Sequence, residues 1–142
     1  MGREPQLSSL VIGTSALISI LGAETDRVEF LSALQQCDTA YVSAATLRET
    51  FRVAATKRFP QGQERLEEIV EALCLEVIAF DVEQLTASRA AYAGFGRGSG
   101  HAAKLNFGDC FAYALAKTRN LPLLYKGDDL IHTDIIPALK PA

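Results

Sequence analysis

Leu10-Val11-Ile12-Gly13-Thr14-Ser15-Ala16-Leu17 passes from an apolar strand pattern to a helical one within eight residues. Three apolar residues stop at a glycine, two hydroxyl residues offer helix caps, and a helical pattern then runs over 16–21 to Gly22. A strand feeding straight into a helix is the unit of a layered α/β sheet, and outward from this stretch the unit recurs. Asp26 is a candidate cap for a helix through Val28, Leu31 and Leu34, with Phe30 beside them. Tyr41-Val42 predicts a brief strand, Ser43 a cap, and 44–58 a longer helix that Pro60 closes off. Residues 63–73 carry Leu66, Ile69, Val70 and Leu73 at helical spacing. Leu75, Val77, Ile78 and Phe80 predict a strand, and Asp81 a cap for a helix through Leu85, Ala90 and Tyr92. A glycine-rich loop over 94–104, a helix over 106–119 and a strand at Leu123-Leu124-Tyr125 complete the pattern, with Ile135-Ile136 as a short edge. Short apolar strands between helices predict a mostly parallel sheet covered on both faces. Sites in such sheets lie outside the carboxyl ends of the strands. That rule selects Gly13-Thr14-Ser15, Ser43 onward, Asp81 and Gly127-Asp128-Asp129.

Composition bounds the function classes. The 142 residues are read as one domain over 1–142, with 49% hydrophobic and 22% charged residues, as in globular proteins. A net charge of −3 excludes a surface that grips nucleic acid all round, so any RNA contact needs a local basic patch. Cys37, Cys74 and Cys110 are odd in number and follow no metal-ligand spacing, and read as reduced core thiols. No segment has the length of a membrane span, and the polar first ten residues lack the apolar run of a signal peptide. The expectation is a soluble, cytoplasmic protein.

Each acid taken singly has a bland reading. Asp109 sits near the start of the 106–119 helix, where the helix dipole favours a carboxylate. Asp128 and Asp129 follow a strand and a glycine, as turn residues do. Glu49 lies roughly opposite Leu47 and Phe51 on its helix and reads as a solvated surface residue. Together they are more telling. Acids at three strand ends can converge in one cleft, where their repulsion is relieved by a cation between them. With no histidine or thiolate nearby, such a site suits Mg²⁺ or Mn²⁺ and not zinc. Those ions bind phosphate oxygens and assist phosphodiester hydrolysis.

Three stretches then resemble the PIN-domain ribonucleases, and among them the VapC toxins of bacterial toxin–antitoxin pairs. They are Ser9-Leu10-Val11-Ile12-Gly13-Thr14-Ser15-Ala16-Leu17, Leu105-Asn106-Phe107-Gly108-Asp109-Cys110-Phe111-Ala112-Tyr113-Ala114-Leu115-Ala116-Lys117, and Pro122-Leu123-Leu124-Tyr125-Lys126-Gly127-Asp128-Asp129-Leu130. The helix start at Ser43 to Glu49 also fits, and the likeness runs over about 10–136. The second stretch is long and specific. The resemblance implies a PIN-like α/β/α sandwich with a central, mostly parallel sheet. It also implies an Mg²⁺- or Mn²⁺-dependent RNA endonuclease that forms a homodimer and is silenced by a VapB-type antitoxin. Residue by residue, Asp109 matches a principal metal ligand, and Glu49 and Asp129 match the other acids, Asp128 less well. Thr14 or Ser15 matches the hydroxyl that supports metal-bound water. The departure is Gly13, where the family carries a ligand aspartate.

Two readings of Gly13 compete. One is a loss-of-function substitution, selected or engineered, in a toxin that harms its own host. The other is a natural glycine in a non-catalytic PIN-like module that binds antitoxin or RNA. Retention of the remaining acids favours the first. A third class, a magnesium-dependent phosphatase of the haloacid type, needs an aspartate nucleophile after the first strand, and Gly13 denies it.

The run Gly94-Phe95-Gly96-Arg97-Gly98-Ser99-Gly100 imitates a dinucleotide fingerprint but follows a helix instead of a strand. Arg97, His101 and Lys104 make that loop basic, and are candidate RNA contacts or solvated surface. His132 reads as structural or surface. Phe51, Phe107, Phe111 and Tyr113 fall at helical spacings and are expected in the core.

Overall fold

The computed structural model describes residues 9–127 and 130–139. The chain runs β1 (Leu10–Ile12), α1 (Thr14–Leu21), α2 (Arg27–Gln36), β2 (Ala40–Ser43), α3 (Ala44–Ala54), α4 (Gly62–Ala72), β3 (Glu76–Ile78), α5 (Val82–Phe95), α6 (Asp109–Arg119) and β4 (Leu123–Leu124). A 3-10 turn, Leu130–His132, follows. Among the described residues the strands form one parallel sheet in the order β3-β2-β1-β4. The expected Ile135-Ile136 edge is a bare bridge: Leu123 N–H donates to Ile136 O, and Ala138 N–H donates to Leu123 O.

The two-residue period of the strands divides the core into two layers. Leu10, Ile12, Ala40, Val42 and Leu124 point to one face, where they meet Ala16, Leu17 and Ile20 of α1, Phe30, Ala33 and Leu34 of α2 and Leu47 of α3. Val11, Tyr41 and Leu123 point to the other, against Cys110, Ala112, Tyr113 and Leu115 of α6 and Ala91 of α5. The result is the α/β/α sandwich that the alternating pattern predicts. Parallel strands covered on both faces explain why β1 is apolar at every position and β2 carries a polar residue only at its end, Ser43.

Several local expectations need correction. Thr14 and Ser15 do not cap α1. They lie in its first turn, Gly13 is the capping residue, and no side chain bonds the end. Asp26 occupies its capping position without a side-chain hydrogen bond. Helix α3 stops at Ala54, well short of Arg58, where the chain turns back and Gly62 packs against the Ala54 carbonyl and Phe59. Helix α6 starts at Asp109 and not at Asn106. Val28 is exposed at 72% and contributes nothing to the core. Cys74 is exposed, Cys37 half-buried and only Cys110 buried, so the core-thiol reading holds for one of the three, though all are free. Ser43 and Asp81 cap as expected, accepting from Ala45 N–H at 3.2 Å and Gln84 N–H at 2.9 Å.

Candidate functional site

Three segments distant in sequence meet at the carboxyl ends of β1 and β2. The first is Thr14, just past β1. Its hydroxyl donates to Glu49 Oε1 at 3.0 Å, across 35 positions of sequence. The second is α3, which the Ser43 cap starts and which carries Glu49 in its second turn. One turn of helix separates Thr46 from Thr50, and the fully buried Thr50 hydroxyl donates to Thr46 O at 2.7 Å while lying 3.4 Å from Thr14 Oγ1. The third is the start of α6. There Asp109 N–H donates to Asn106 Oδ1 at 2.8 Å, and Asn106 N–H donates to Asp109 Oδ2 at 3.3 Å. This reciprocal capping box fixes the turn that holds Phe107 and Gly108. The Glu49 carboxylate rests directly against Gly108: a Cβ there would clash with both its oxygens. Glu49 is therefore half-buried, lodged between a hydroxyl of α1 and the backbone leading into Asp109, and not the solvated residue its helical position suggested.

Gly13 stands beside this group in extended conformation, φ −96° and ψ 170°, with its N–H bonded to Leu124 O at 3.0 Å. A Cβ at Gly13 would lie 3.5 Å from Leu124 O and 3.6 Å from Ala112 Cβ, ordinary contact distances. Neither conformation nor space demands a glycine here. Ser15 has a different task from Thr14: its Oγ accepts from Lys126 N–H at 2.8 Å and ties the segment after β4 to α1. Lys126 Nζ reaches Glu24 Oε1 at 2.5 Å and Asp26 at 3.6 Å, and Arg58 also pairs with Glu24 at 3.0 Å. Asp128 and Asp129 lie outside the described residues.

The remaining candidates are scattered. Arg97, His101 and Lys104 line an open cleft of about 500 Å³ in the loop after α5. His101 is engaged within that loop: Nδ1 accepts from Ala103 N–H at 3.0 Å and the ring meets Phe95 edge-on at 4.8 Å. Arg97 and Lys104 are exposed. His132 is exposed as expected. Tyr113 is buried and Phe51 and Phe111 half-buried, but Phe107 is 68% exposed, against the expectation of a core residue. It belongs to an apolar groove of about 460 Å³ with Phe80, Leu85, Tyr92 and Phe111, its ring edge-on to both Tyr92 and Phe111. Helical spacing misled because Phe107 precedes the helix.

Sequence reasoning missed Gly108, Thr50 and Asp134. The Asn106-x-x-Asp109 spacing is a capping-box pattern and could have located the α6 start, but nothing local marks Gly108. Asp134 accepts from Tyr113 Oη and from Lys117 Nζ, both at 2.6 Å. Burial raises the Asp134 carboxyl, but the bonds from Lys117 and Tyr113 outweigh it and hold the group below its usual value. Burial and the Asp134 bond push the Tyr113 phenol up.

The site offers oxygen alone. Burial first, then the charge of Asp109, push the Cys110 thiol up to about 12, so it stays neutral at physiological pH. Carboxylates and hydroxyls are hard donors, fitted in kind to a small divalent cation. In number they fall short. Among the described residues no group of three or more His, Cys, Asp or Glu is placed to hold a metal.

Comparison with known proteins bears on the family and the fold. The chain matches the PIN domain family over residues 10–136. It is 44% identical over 130 residues to ribonuclease VapC28 of Mycobacterium tuberculosis, an alignment covering 92% of this chain and 98% of that one. Ribonuclease VapC30 of the same species is 38% identical over 132 residues, covering 93% and 100%. The fold superposes on VapBC2 from Rickettsia felis, solved bound to a DNA fragment from its promoter, with a TM-score of 0.70 at 15% identity, covering 91% and 96%. The chain belongs to the PIN-domain family and, within it, to the VapC ribonucleases.

Proposed function

We propose that this chain is the toxin of a toxin–antitoxin pair: one PIN domain, a metal-dependent RNA endonuclease by descent, weakened by the absent carboxylate at Gly13. The observation that carries the reading is the seat of Glu49, held by Thr14 and lodged against the backbone that leads into Asp109. Glu49, Asp109 and Asp129 would hold the cation, Mg²⁺ or Mn²⁺. When bound, the cation would neutralise the scissile phosphate and supply a nucleophilic water at neutral pH. Thr14 orients Glu49, and Ser15 anchors the segment leading to Asp128 and Asp129. Arg97 and Lys104 would meet phosphates of the RNA, with His101 shaping their loop.

A VapB-type antitoxin is the expected partner, on the strength of the VapC relatives. A homodimer is supported by the apolar groove at Phe107 and the exposed Val82, Leu85 and Tyr92 around it. No helix among the described residues is long and apolar enough to cross a membrane, and the proposed workplace is the cytoplasm.

Gly13 also supports a second reading, a binder without catalysis. One experiment separates them. Restore the carboxylate with Gly13→Asp and assay cleavage of a mixed RNA pool with Mg²⁺ and with EDTA. EDTA-sensitive cleavage gained by Gly13→Asp supports the toxin, and none at any metal concentration overturns it in favour of the binder.

A further inference from the structure

We propose that Gly108 is a positioning residue: its missing side chain leaves the space in which the Glu49 carboxylate sits beside Asp109. The inference rests on the metal-site reading above. Gly108 has ordinary right-handed helical angles, φ −66° and ψ −34°, which any residue adopts. What requires glycine is volume and not conformation. Gly108 is buried, and a Cβ would clash with both Glu49 oxygens and Cδ.

The two sides of this contact differ in freedom. Gly108 lies between Asn106 and Asp109, whose capping box ties the turn at both ends. The Glu49 carboxylate is the far end of a flexible chain. A methyl group at Gly108 would therefore expel the carboxylate and break its bond from Thr14. Other crowded glycines are not like this. Gly62 meets the Ala54 carbonyl and Gly96 the Tyr92 carbonyl, so side chains there would strain the backbone. Gly94, Gly98 and Gly100 have nothing within 4 Å. Only at Gly108 is the obstacle an acid of the proposed site.

The test compares Gly108→Ala with Glu49 present and in a Glu49→Ala background, all carrying Gly13→Asp. Mn²⁺ affinity is measured by calorimetry, and unfolding is followed in EDTA. With Glu49 present, Gly108→Ala should weaken Mn²⁺ binding roughly tenfold or more, as loss of a ligand's orienting partner does. In the Glu49→Ala background it should change nothing further. If Gly108→Ala does not fold, adding Glu49→Ala removes the obstacle and should rescue it; failure to rescue overturns the inference. Equal losses in both backgrounds would overturn it too, since Gly108 would then act through the fold. So would undiminished Mn²⁺ affinity in Gly108→Ala. A Gly13→Asp protein that binds no Mn²⁺ while Gly108 is intact would sink the metal-site reading itself, and this inference with it.

Discussion

Gly13→Asp is the perturbation on which the functional reading turns, and its energetics follow from the surroundings of residue 13. A Cβ there meets nothing closer than 3.5 Å, and φ −96° with ψ 170° suits aspartate. The position caps α1, where aspartate exceeds glycine by a few tenths of a kcal/mol. Replacing glycine at a compatible position also removes unfolded-state freedom worth about 0.4–1 kcal/mol. Against these stands repulsion from the half-buried Glu49 and Asp109, on the order of 1 kcal/mol. In EDTA the net change should be close to zero. With Mn²⁺ at about 100 times its Kd the restored site should gain about 2.7 kcal/mol. At roughly 3 °C per kcal/mol for a chain of this size, the melting temperature should rise by about 8 °C. If the missing carboxylate weakens binding about 100-fold, the Gly13 protein at the same Mn²⁺ concentration gains only about 0.4 kcal/mol, roughly 1 °C. Calorimetric melts of both proteins, with EDTA and with Mn²⁺, read the difference directly. Equal metal-induced shifts would mean that residue 13 contributes no ligand. A loss above about 2 kcal/mol in EDTA would refute the steric part.

In the Gly13→Asp background, Asp109→Asn and Asp129→Asn should each reduce RNA cleavage by at least about 100-fold, while Asp128→Asn costs little; equal loss at Asp128 and Asp129 would mean a shifted register after β4. Asp134 has a depressed folded value, so its stabilising contribution is present above the unfolded pKa of about 3.9 and lost as pH falls through the folded value. Asp134→Asn should cost about 1 kcal/mol at pH 7, the Lys117 pair being half-exposed, with the difference closing as pH falls towards 2 in urea titrations. Tyr92→Ala with Phe107→Ala should weaken the proposed homodimer at least tenfold by sedimentation; an unchanged dimer would move its interface off the α5 groove.

Much of the fold was legible because its determinants are local. The apolar run Leu10-Val11-Ile12 located β1, the apolar residues between Leu75 and Phe80 bracketed β3 to within two residues, and Ser43 and Asp81 cap as their chemistry suggests. Helix ends failed where the deciding partner lies elsewhere. Helix α3 ends at Ala54, where Gly62 packs back against its carbonyl, and no residue from 55 to 58 announces that. Thr14 and Ser15 have the composition of caps, yet their hydroxyls go to Glu49, 35 positions away, and to Lys126, 111 positions away. Phe107 kept a helical spacing while standing outside the helix. The acids drew notice through their joint placement at strand ends and through the family pattern, since each alone has a structural explanation.

The same non-locality explains why the proposed site needs no side chain at residue 13 to keep its shape. Glu49 is held by Thr14 on one side and backed by Gly108 on the other, and Asp109 is fixed by Asn106. None of these contacts passes through the side chain of residue 13. Gly13 contributes only backbone, its N–H to Leu124 O and its carbonyl accepting from Leu17 N–H, and both bonds survive any side chain that fits. Glu49 and Asp109 are thus positioned by helix starts and strand ends through contacts of the chain itself. Removing one carboxylate from such a framework subtracts charge without releasing the others. Activity is therefore separable from architecture at this position, and one substitution should restore it.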